Sequence, residues 1–465
     1  MKIKGIKRKA IFKKVVEAAS RLNMDAYVVG GYVRDLYLGI EGKDIDFVVV
    51  GDALTFAEAF RKKYRSGRII TYPRFGTAML TFQDFKLEFV TARSESYATD
   101  SRKPAVVKAD LESDLSRRDF TINTLAMDIS EKNFGKVIDL FQGKADLDQG
   151  IIRTPLDPSI TFSDDPLRIL RAIRFAAVLN FDIESRTYQA ILETRERLRI
   201  ISQERITEEF RKMMLASQPS LGLDLLRDSG VAEVIFPELL ALSGVEQRED
   251  FHHKDVFDHT LKVLDNISVM TEKFELRLAA LLHDIAKPQT KRFVKGIGWT
   301  FHGHEDLGAK MVHKIGRRMR LPVNLIKYVE KLVRLHLRPM QLVDEMVTDS
   351  AIRRLMVEAG EDLDDLMMLC RADITSKNPE KVKRYLSNFD RVEEKMKAVE
   401  EKDNLRNFKL AIDGNKIMES LGLSPGPIVG RIKDAVTAAV LDGDIPNEEH
   451  ACVEFMLKVK DQYLE

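Results

Sequence analysis

The stretch KDIDFVVV, Lys43 to Val50, sets two aspartates one residue apart at the mouth of an apolar run. Phe47 to Val50 has the β-branched and aromatic content of a buried strand, and side chains two apart on a strand share a face. Asp44 and Asp46 then present two carboxylates side by side. Such like charges repel, and one keeps its proton unless a cation is shared between them. Just upstream, VVGGYVRD (Val28 to Asp35) reads as a strand, a Gly30–Gly31 turn and a helix carrying Arg34. Glycine lets backbone approach a ligand closely, and a helix start offers unpaired N–H groups to an anion. Phosphate donors beside paired carboxylates fit a nucleoside triphosphate with Mg2+, which favours carboxylate oxygens plus substrate phosphates. In two-metal phosphoryl transfer one ion activates the attacking hydroxyl and the other neutralises the pyrophosphate leaving group. Taken alone, the aspartate pair also reads as solvated loop residues and the diglycine as an ordinary turn. Their conjunction favours the metal site. Glu88, in KLEFVTARSE, is the candidate third carboxylate. Alternation sets it on the face opposite Leu87 and Phe89, as expected of an antiparallel neighbour strand; an edge-strand glutamate in solvent is the other reading.

Two arginine-bearing stretches follow. In LSRRDFTINTLAMD, Leu115 to Asp128, Arg117, Arg118 and Asp119 precede what reads as an apolar helix in which Thr121 or Asn123 caps or hydrogen-bonds. An arginine reaching back to a triphosphate is one reading, and a solvated helix start with an internal Arg–Asp pair is the other. In DDPLRILRAIRF, Asp164 to Phe175, Arg168, Arg171 and Arg174 share one arc of a helix, with Ile169, Ala172 and Ile173 turned elsewhere. Spaced arginines are commonly a solvated face, and Asp165 before Pro166 is commonly a cap.

The elements that must hold these residues fall into an ordered series. Up to about Leu140, short strands (AYVVG, DFVVV, TAMLTF, LEFVTA, VIDLF) alternate with helices. From about Asp165 to Gln218 the period is helical and basic, and ASQPS, Ala216 to Ser220, reads as a hinge. Beyond it the chain reads as almost all helical. Histidines gather between His252 and His336, and a charged helix leads to a tail containing LSPGPIVGRIKDAV. The expected architecture is multi-domain α+β. An α/β head with a mixed sheet spans 1–145, a helical neck and body 146–245, an all-α histidine-bearing domain 246–380, and a helical tail 381–465. At 465 residues, with 44% hydrophobic and 32% charged content, the chain reads as a soluble multi-domain protein. Its net charge of +1 decides nothing about nucleic acid, because a near-neutral total can hide a basic face. MKIKGIKRKA lacks the apolar core of a signal peptide, and no run reaches the ~20 apolar residues of a membrane span. Cys370 and Cys452 make neither a metal spacing nor a disulfide framework, which fits a reducing cytoplasm.

VVGGYVRD, KDIDFVVVG, RRDFTINTLAMD, DDPLRILRAIRF and ERITEEF occur in the order seen in class II CCA-adding tRNA nucleotidyltransferases of the polymerase β-like superfamily. The first half of the chain resembles that family. The resemblance implies that Asp44 and Asp46 hold the catalytic metals. It also implies that Gly30, Gly31, Arg34, Arg118, Asp165, Arg168, Arg171 and Arg174 contact the incoming nucleotide. Asp164 stands where relatives often have glutamate, a minor departure. An Asp–Arg pair suits selection of CTP and ATP. Cytosine and adenine each present an exocyclic amine, which a carboxylate accepts, beside an unprotonated ring nitrogen, to which a guanidinium donates. Uracil and guanine reverse both positions, and buried unpaired groups of that kind discriminate strongly.

The segments DHTLKV, LLHDIAKP, FHGHED and RADIT resemble the HD superfamily of metal-dependent phosphohydrolases. That resemblance implies His259, His283, Asp284 and Asp373 as ligands, with Asp362, Asp364 and Asp365 as nearby competitors for the last place. Imidazole with carboxylate suits Mn2+, Ni2+, Fe2+ or Zn2+. His302, His304 and His336 are candidates for a second metal or a substrate phosphate. An active hydrolase and a relic helical scaffold both remain open. The expected activity is addition of C, C and A to the 3′ end of tRNA, with tRNA docked along the basic residues of neck, body and tail. A poly(A) polymerase or A-adding enzyme is the near alternative, and TYPRFGTAML lacks the sequence associated with bacterial poly(A) polymerases. A phosphohydrolase with an inactive head, or a non-catalytic RNA-binding protein, are the distant ones.

Overall fold

A computed structural model describes residues 10–65, 67–96, 105–246, 255–343, 348–376, 378–403 and 408–464. Two compact units divide the chain between Pro237 and Glu238. In the first, helix α1 (Ala10–Leu22) leads into β1 (Asp25–Val29), α2 (Gly31–Tyr37), β2 (Asp44–Val50), α3 (Ala53–Tyr64), β3 (Ile69–Tyr72), β4 (Thr77–Phe82), β5 (Phe85–Thr91), β6 (Ala126–Asp128) and β7 (Val137–Ile138). These strands form one sheet in the order β3-β4-β5-β2-β1-β6-β7. Its pairs are antiparallel except β2 with β5, which run parallel with Asp46 opposite Glu88.

Alternation along β2 explains why the sheet forms and why it opens at one end. Ile45, Phe47 and Val49 are fully buried, and Phe47 stacks on Phe89 of β5 with ring centroids 5.1 Å apart. Phe56 and Phe60 of α3 close on the same Phe89 at 5.0 and 5.8 Å. On the opposite face Val48 packs with Val29, Ala92, Leu115 and Ala126. Apolar cover on that face gives out toward the start of β2, where Asp46 is half-buried and Asp44 exposed.

Three sequence expectations are corrected. Glu88 keeps the expected face, but its strand is a parallel partner of β2 rather than an antiparallel one. The apolar helix expected after Arg117-Arg118-Asp119 is absent. Thr121–Asn123 form a single 3-10 turn, and the chain then enters β6, which pairs with β1. Short apolar runs fit either period, and here the free edge of β1 supplies a ladder for the backbone. VIDLF contributes only the two residues of β7.

The neck and body are helical, led by α4 (Leu167–Leu179) and α5 (Gln203–Met214). Ala216 to Ser220 lie between α5 and the helix Ser220–Asp228. The second unit carries α6 (Val256–Met270), α7 (Phe274–Leu282), α8 (His304–Arg318), α9 (Val323–Leu335), α10 (Asp349–Ala359), α11 (Leu363–Ala372), the charged helix α12 (Pro379–Asp403) and α13 (Pro427–Asp442). One exception to its helical character is a hairpin of β8 (Arg292–Val294) and β9 (Gly298–Thr300), inserted between α7 and α8. A separate apolar cluster of Ile412, Ile417, Ile432, Val436, Cys452 and Met456 closes the tail on itself. Cys370 and Cys452 are buried free thiols. Among the described residues no helix is long and apolar enough to cross a membrane. His252, the basic N-terminal stretch and Asn404 lie outside the described residues.

Phe89 joins three aromatic partners under the carboxylate-bearing edge, so Phe89→Ala should cost about 3–5 kcal/mol. Urea unfolding of the full chain checks this; a midpoint unchanged from the parent would show that the aromatic cluster does not hold the sheet.

Candidate active sites

In the first unit the parallel register does the main work. Asp46 and Glu88 sit directly opposite on β2 and β5, and Asp44 is two pairs further out, opposite Lys86. Burial raises the Asp46 carboxyl, the Arg118 charge pulls against the rise, and Asp44 adds to it. Glu88 is likewise raised, first by burial and then by Asp46, with Arg93 and Arg118 opposing. Asp44 is three-quarters exposed, with Lys86 Nζ 3.9 Å from Oδ1. The three carboxylates are therefore short of positive charge, which fits a site for divalent cations.

The Gly30 turn stands over this patch. Its φ of 70° lies in a region that favours glycine. A Cβ there would fall 2.9 Å from Arg118 Nη1 and 3.9 Å from Asp46 Oδ2. At Gly31 a Cβ would meet Arg34 Nη2 at 3.5 Å. Arg118 reaches Asp114 Oδ2 through Nη2 at 3.1 Å, while its Nε is buried without a hydrogen-bond partner. A buried donor left without an acceptor is costly, and Nη1 of the same guanidinium borders the glycine turn while its charge acts on Asp46 and Glu88. The arrangement fits an anionic ligand.

Arg34 donates from Nε to Asp35 at 2.8 Å and from Nη1 to Asn123 Oδ1 at 2.8 Å. Asn123 donates to Asp119 Oδ1 at 3.0 Å, and Arg171 Nε donates to Asp119 Oδ2 at 2.7 Å. Burial alone would raise Asp119, but Arg171 and the Asn123 amide hold its carboxyl far below the usual range. Arg174 Nε donates to the buried Glu209 of α5 at 2.6 Å. Arg168 donates to the Arg117 carbonyl at 2.6 Å. Asp165 accepts from the Leu167 N–H at 3.2 Å and pairs with Arg205 of α5 at 3.0 Å. The arginine row of α4 is thus half-buried and internally bonded rather than a solvated face. Asp165 and Arg168 lie at the start of that helix, each keeping hydrogen-bonding capacity beyond these contacts. Glu209 and Arg205 were visible in ERITEEF but carried no assigned role, and Asp114 had no signal at all.

In the second unit two residue trios meet. His259, His283 and Asp373 form one, and Asp284, His304 and His336 the other; within each, the candidate ligand atoms lie within 4.8 Å of one another. His259 Nε2 is 2.9 Å from Asp373 Oδ1, and His283 Nε2 is 3.1 Å from Asp284 Oδ2. The other oxygen of Asp284 faces His304 Nε2 at 3.2 Å. Asp284 therefore stands between the trios.

Each imidazole is oriented from behind. Nδ1 of His283, His304 and His336 faces the carbonyls of Ala280, Phe301 and Val333 at 2.8, 2.8 and 2.6 Å, while that of His259 faces Thr375 Oγ1 at 2.9 Å. A carbonyl accepts only, so Nδ1 of His283, His304 and His336 carries a proton and Nε2 of each ring turns inward. Nε2 of His304 and Nε2 of His336 face each other across 3.3 Å. His283 Nε2 and Asp284 Oδ2 are both buried and face each other as an ion pair. Burial opposes protonation of His283, but Asp284 and Asp373 push its imidazole up to about 10. Burial pushes His336 down to about 4. Cys370 donates to the His336 carbonyl at 3.0 Å, and Lys287 Nζ lies 2.6 Å from Asp284 Oδ2. Imidazole nitrogens converging with carboxylate oxygens in a buried cluster fit a bound transition-metal ion. The competing aspartates go elsewhere: Asp362 to Lys331, and Asp365 to Lys273 and Tyr328. His302 is exposed and outside both trios.

Comparison with known proteins agrees with this layout. Residues 26–153 match the poly A polymerase head domain, 180–242 a probable RNA- and SrmB-binding site of polymerase A, and 256–377 the HD domain. A multifunctional CCA protein of Neisseria meningitidis is 36% identical over 324 residues, 68% of this chain and 73% of the relative. A CC-adding tRNA nucleotidyltransferase of Thermus thermophilus is 30% identical over 436 residues, 92% of each chain. A solved structure of a CCA-adding enzyme with ATP superposes with a TM-score of 0.60 at 26% identity, over 98% of this chain and 95% of that one. The chain belongs to the family of CCA- and CC-adding tRNA nucleotidyltransferases.

Proposed function

We propose that this protein adds C, C and A to the 3′ end of tRNA from CTP and ATP, in the cytoplasm where its tRNA substrate resides. The observation that carries the reading is the carboxylate patch of Asp44, Asp46 and Glu88 under the Gly30 turn, with the orphaned Nε of Arg118 beside it. Mg2+ held by Asp44 and Asp46, with Glu88 alongside, would activate the attacking hydroxyl and neutralise the pyrophosphate. Gly30 and Gly31 leave room for the triphosphate, and Arg118 and Arg34 balance its charge. Asp165 accepts from the exocyclic amine of C or A while Arg168 donates to the ring nitrogen, and Arg171 and Arg174 hold that helix in place. The assay is addition to tRNAs ending before, within or after CCA, with one labelled nucleoside triphosphate at a time. Stopping at CCA supports the proposal. Stopping at CC, as the name of the Thermus relative implies for that protein, or continued A addition, would overturn it.

Asp46→Ala or Asp44→Ala should lower nucleotide addition on the order of 10³-fold, since several kcal/mol of charge stabilisation is at stake. Filter binding of tRNA should barely change. Normal addition by both variants would remove the metal assignment.

Arg168→Ala and Asp165→Ala should each relax discrimination against UTP and GTP as well as slow addition. Because both engage one base edge, the double variant should fall short of the combined single losses. Slower rates with intact selectivity would reduce the pair to holding the helix.

A second reading rests on its own observation, the two buried histidine–aspartate trios that meet at Asp284. The HD half is a metal-dependent phosphoesterase acting on ends that the head encounters, such as a 2′,3′-cyclic phosphate, or on pyrophosphate. A transition metal there would lower the pKa of bound water toward neutrality. His259, His283, Asp284 and Asp373 would hold it, with His304 and His336 on the second side of Asp284. His283→Ala combined with Asp284→Ala should abolish hydrolysis and lower metal content while nucleotide addition keeps its rate. Metal analysis of purified protein and a cyclic-phosphate assay check this. A metal-free, inactive parent would leave the HD half a scaffold.

A further inference from the structure

The hairpin inserted between α7 and α8 has no part in either site as described, and its composition is unusual. Between Asp284 and Glu305 the sequence IAKPQTKRFVKGIGWTFHGH contains Lys287, Lys291, Arg292 and Lys295 and no acidic residue. The whole chain, by contrast, holds 74 basic against 73 acidic residues. The hairpin also exposes apolar groups that a folded core would normally claim. Phe293 is 52% exposed and Ile297, in the turn, 74%.

Register places these groups. Phe293 and Trp299 are cross-strand partners and so share one face, with ring centroids 5.2 Å apart at 74°. Lys291, two residues before Phe293, lies on that same face with Nζ 4.3 Å from the centre of the Trp299 ring. Lys295 occupies the turn, and Arg292 is exposed on the strand. Lys291 therefore shares one face with the two rings, and Arg292 lies on the other. Both ends of the insertion are tied to the histidine cluster. At its start Lys287 contacts Asp284 and lies 5.6 Å from the Phe301 ring; at its end the chain turns into His304. Only three residues, a span of at most about 14 Å, separate Thr300 from His304.

We propose that this hairpin binds an unpaired RNA strand, stacking a base on the exposed face of Phe293 and Trp299 while Lys291 on that face and Lys295 in the turn meet the neighbouring phosphates. Aromatic rings interleaved with cations form the usual surface for single-stranded nucleic acid, because every base offers a π-face and every linkage a negative charge. A protein partner would be expected to find carboxylates or a paired edge here, and a twenty-residue stretch without acid favours a polyanion. The hairpin's purpose, presenting an RNA end to the HD cluster, rests on the phosphoesterase reading above; its binding of RNA does not.

The chain contains a single tryptophan, so intrinsic emission at Trp299 reports the hairpin with no background from the rest of the protein. The experiment is a titration of the full-length protein with a short unstructured oligouridylate, followed by tryptophan emission and by anisotropy of a labelled copy of the same RNA. Saturable quenching is expected, weakening as salt rises because phosphate contacts release counterions. Lys291→Glu with Lys295→Glu should weaken the quenching transition by about tenfold or more, and Phe293→Ala by a similar amount, the loss of one stacked base. Phe293→Tyr should restore it, and nucleotide addition should be normal in all three variants. Emission that stays flat while anisotropy shows the RNA bound elsewhere would overturn the proposal and leave the apolar tip to a protein partner. So would quenching indifferent to salt and to the lysine reversals. Quenching in a protein without phosphoesterase activity would keep the RNA site and discard only the hydrolytic reading.

Discussion

The first unit hangs on a buried ion pair. Asp119, 8% exposed, takes a charge-assisted hydrogen bond from Arg171, 52 residues further along the chain. Such a pair is a poor source of net stability, since desolvation consumes most of the attraction. Its value is geometric. Removing Arg171 would leave the buried Asp119 carboxylate without its guanidinium partner, so the turn bearing Asp119 and helix α4 bearing Arg171 are tied together. The pair continues in both directions. Through Asn123 it fixes Arg34 beside the glycine turn, and through Glu209 it links Arg171 and Arg174 to α5. Phe175 sits under the same network, 3.9 Å from the Arg174 guanidinium and 5.0 Å from that of Arg34. The turn that would hold the triphosphate and the helix that would read the base are thereby kept in one register. A template-free polymerase needs that constraint, because no complementary strand positions the base for it.

The outline of this arrangement was legible in the sequence because its signals are local. Period-two apolar runs marked β1, β2, β4 and β5, and period 3.6 marked α4 with its arginines on one arc and Ile169, Ala172 and Ile173 buried. The pairing of elements was not legible. Whether β5 runs with or against β2 depends on the course of β3 and β4 between them. The parallel course brings Glu88 opposite Asp46. The stretch after Asp119 was misread because its short apolar run carries no period, and only the open edge of β1 decides for a strand. In the second unit the His283–Asp284 dipeptide signalled a site by resemblance. The position of Asp284 between two trios depends on His304 and His336, which lie on α8 and at the end of α9, and no local pattern encodes their meeting.

The two sites also differ in how ready they stand for a cation. In the histidine cluster the ligand set is assembled: backbone carbonyls and Thr375 hold the rings, Nε2 of each faces inward, and His283 and Lys287 hold the carboxyl of Asp284 low while His283 and His259 do so for Asp373. Side chains held this way lose little freedom on binding, and imidazole with carboxylate suits a tightly held transition metal. The head offers only carboxylates on a half-open edge, with Asp44 exposed and Asp46 and Glu88 raised by burial and mutual repulsion. Its unused donor, Arg118 Nε, asks for an anion. Neither charge imbalance is relieved by a lone cation or a lone phosphate, whereas a triphosphate arriving with its Mg2+ relieves both at once. On the reading proposed above, substrate and metal would bind together in the head and separately in the HD half, so that two metal chemistries would not compete within one chain.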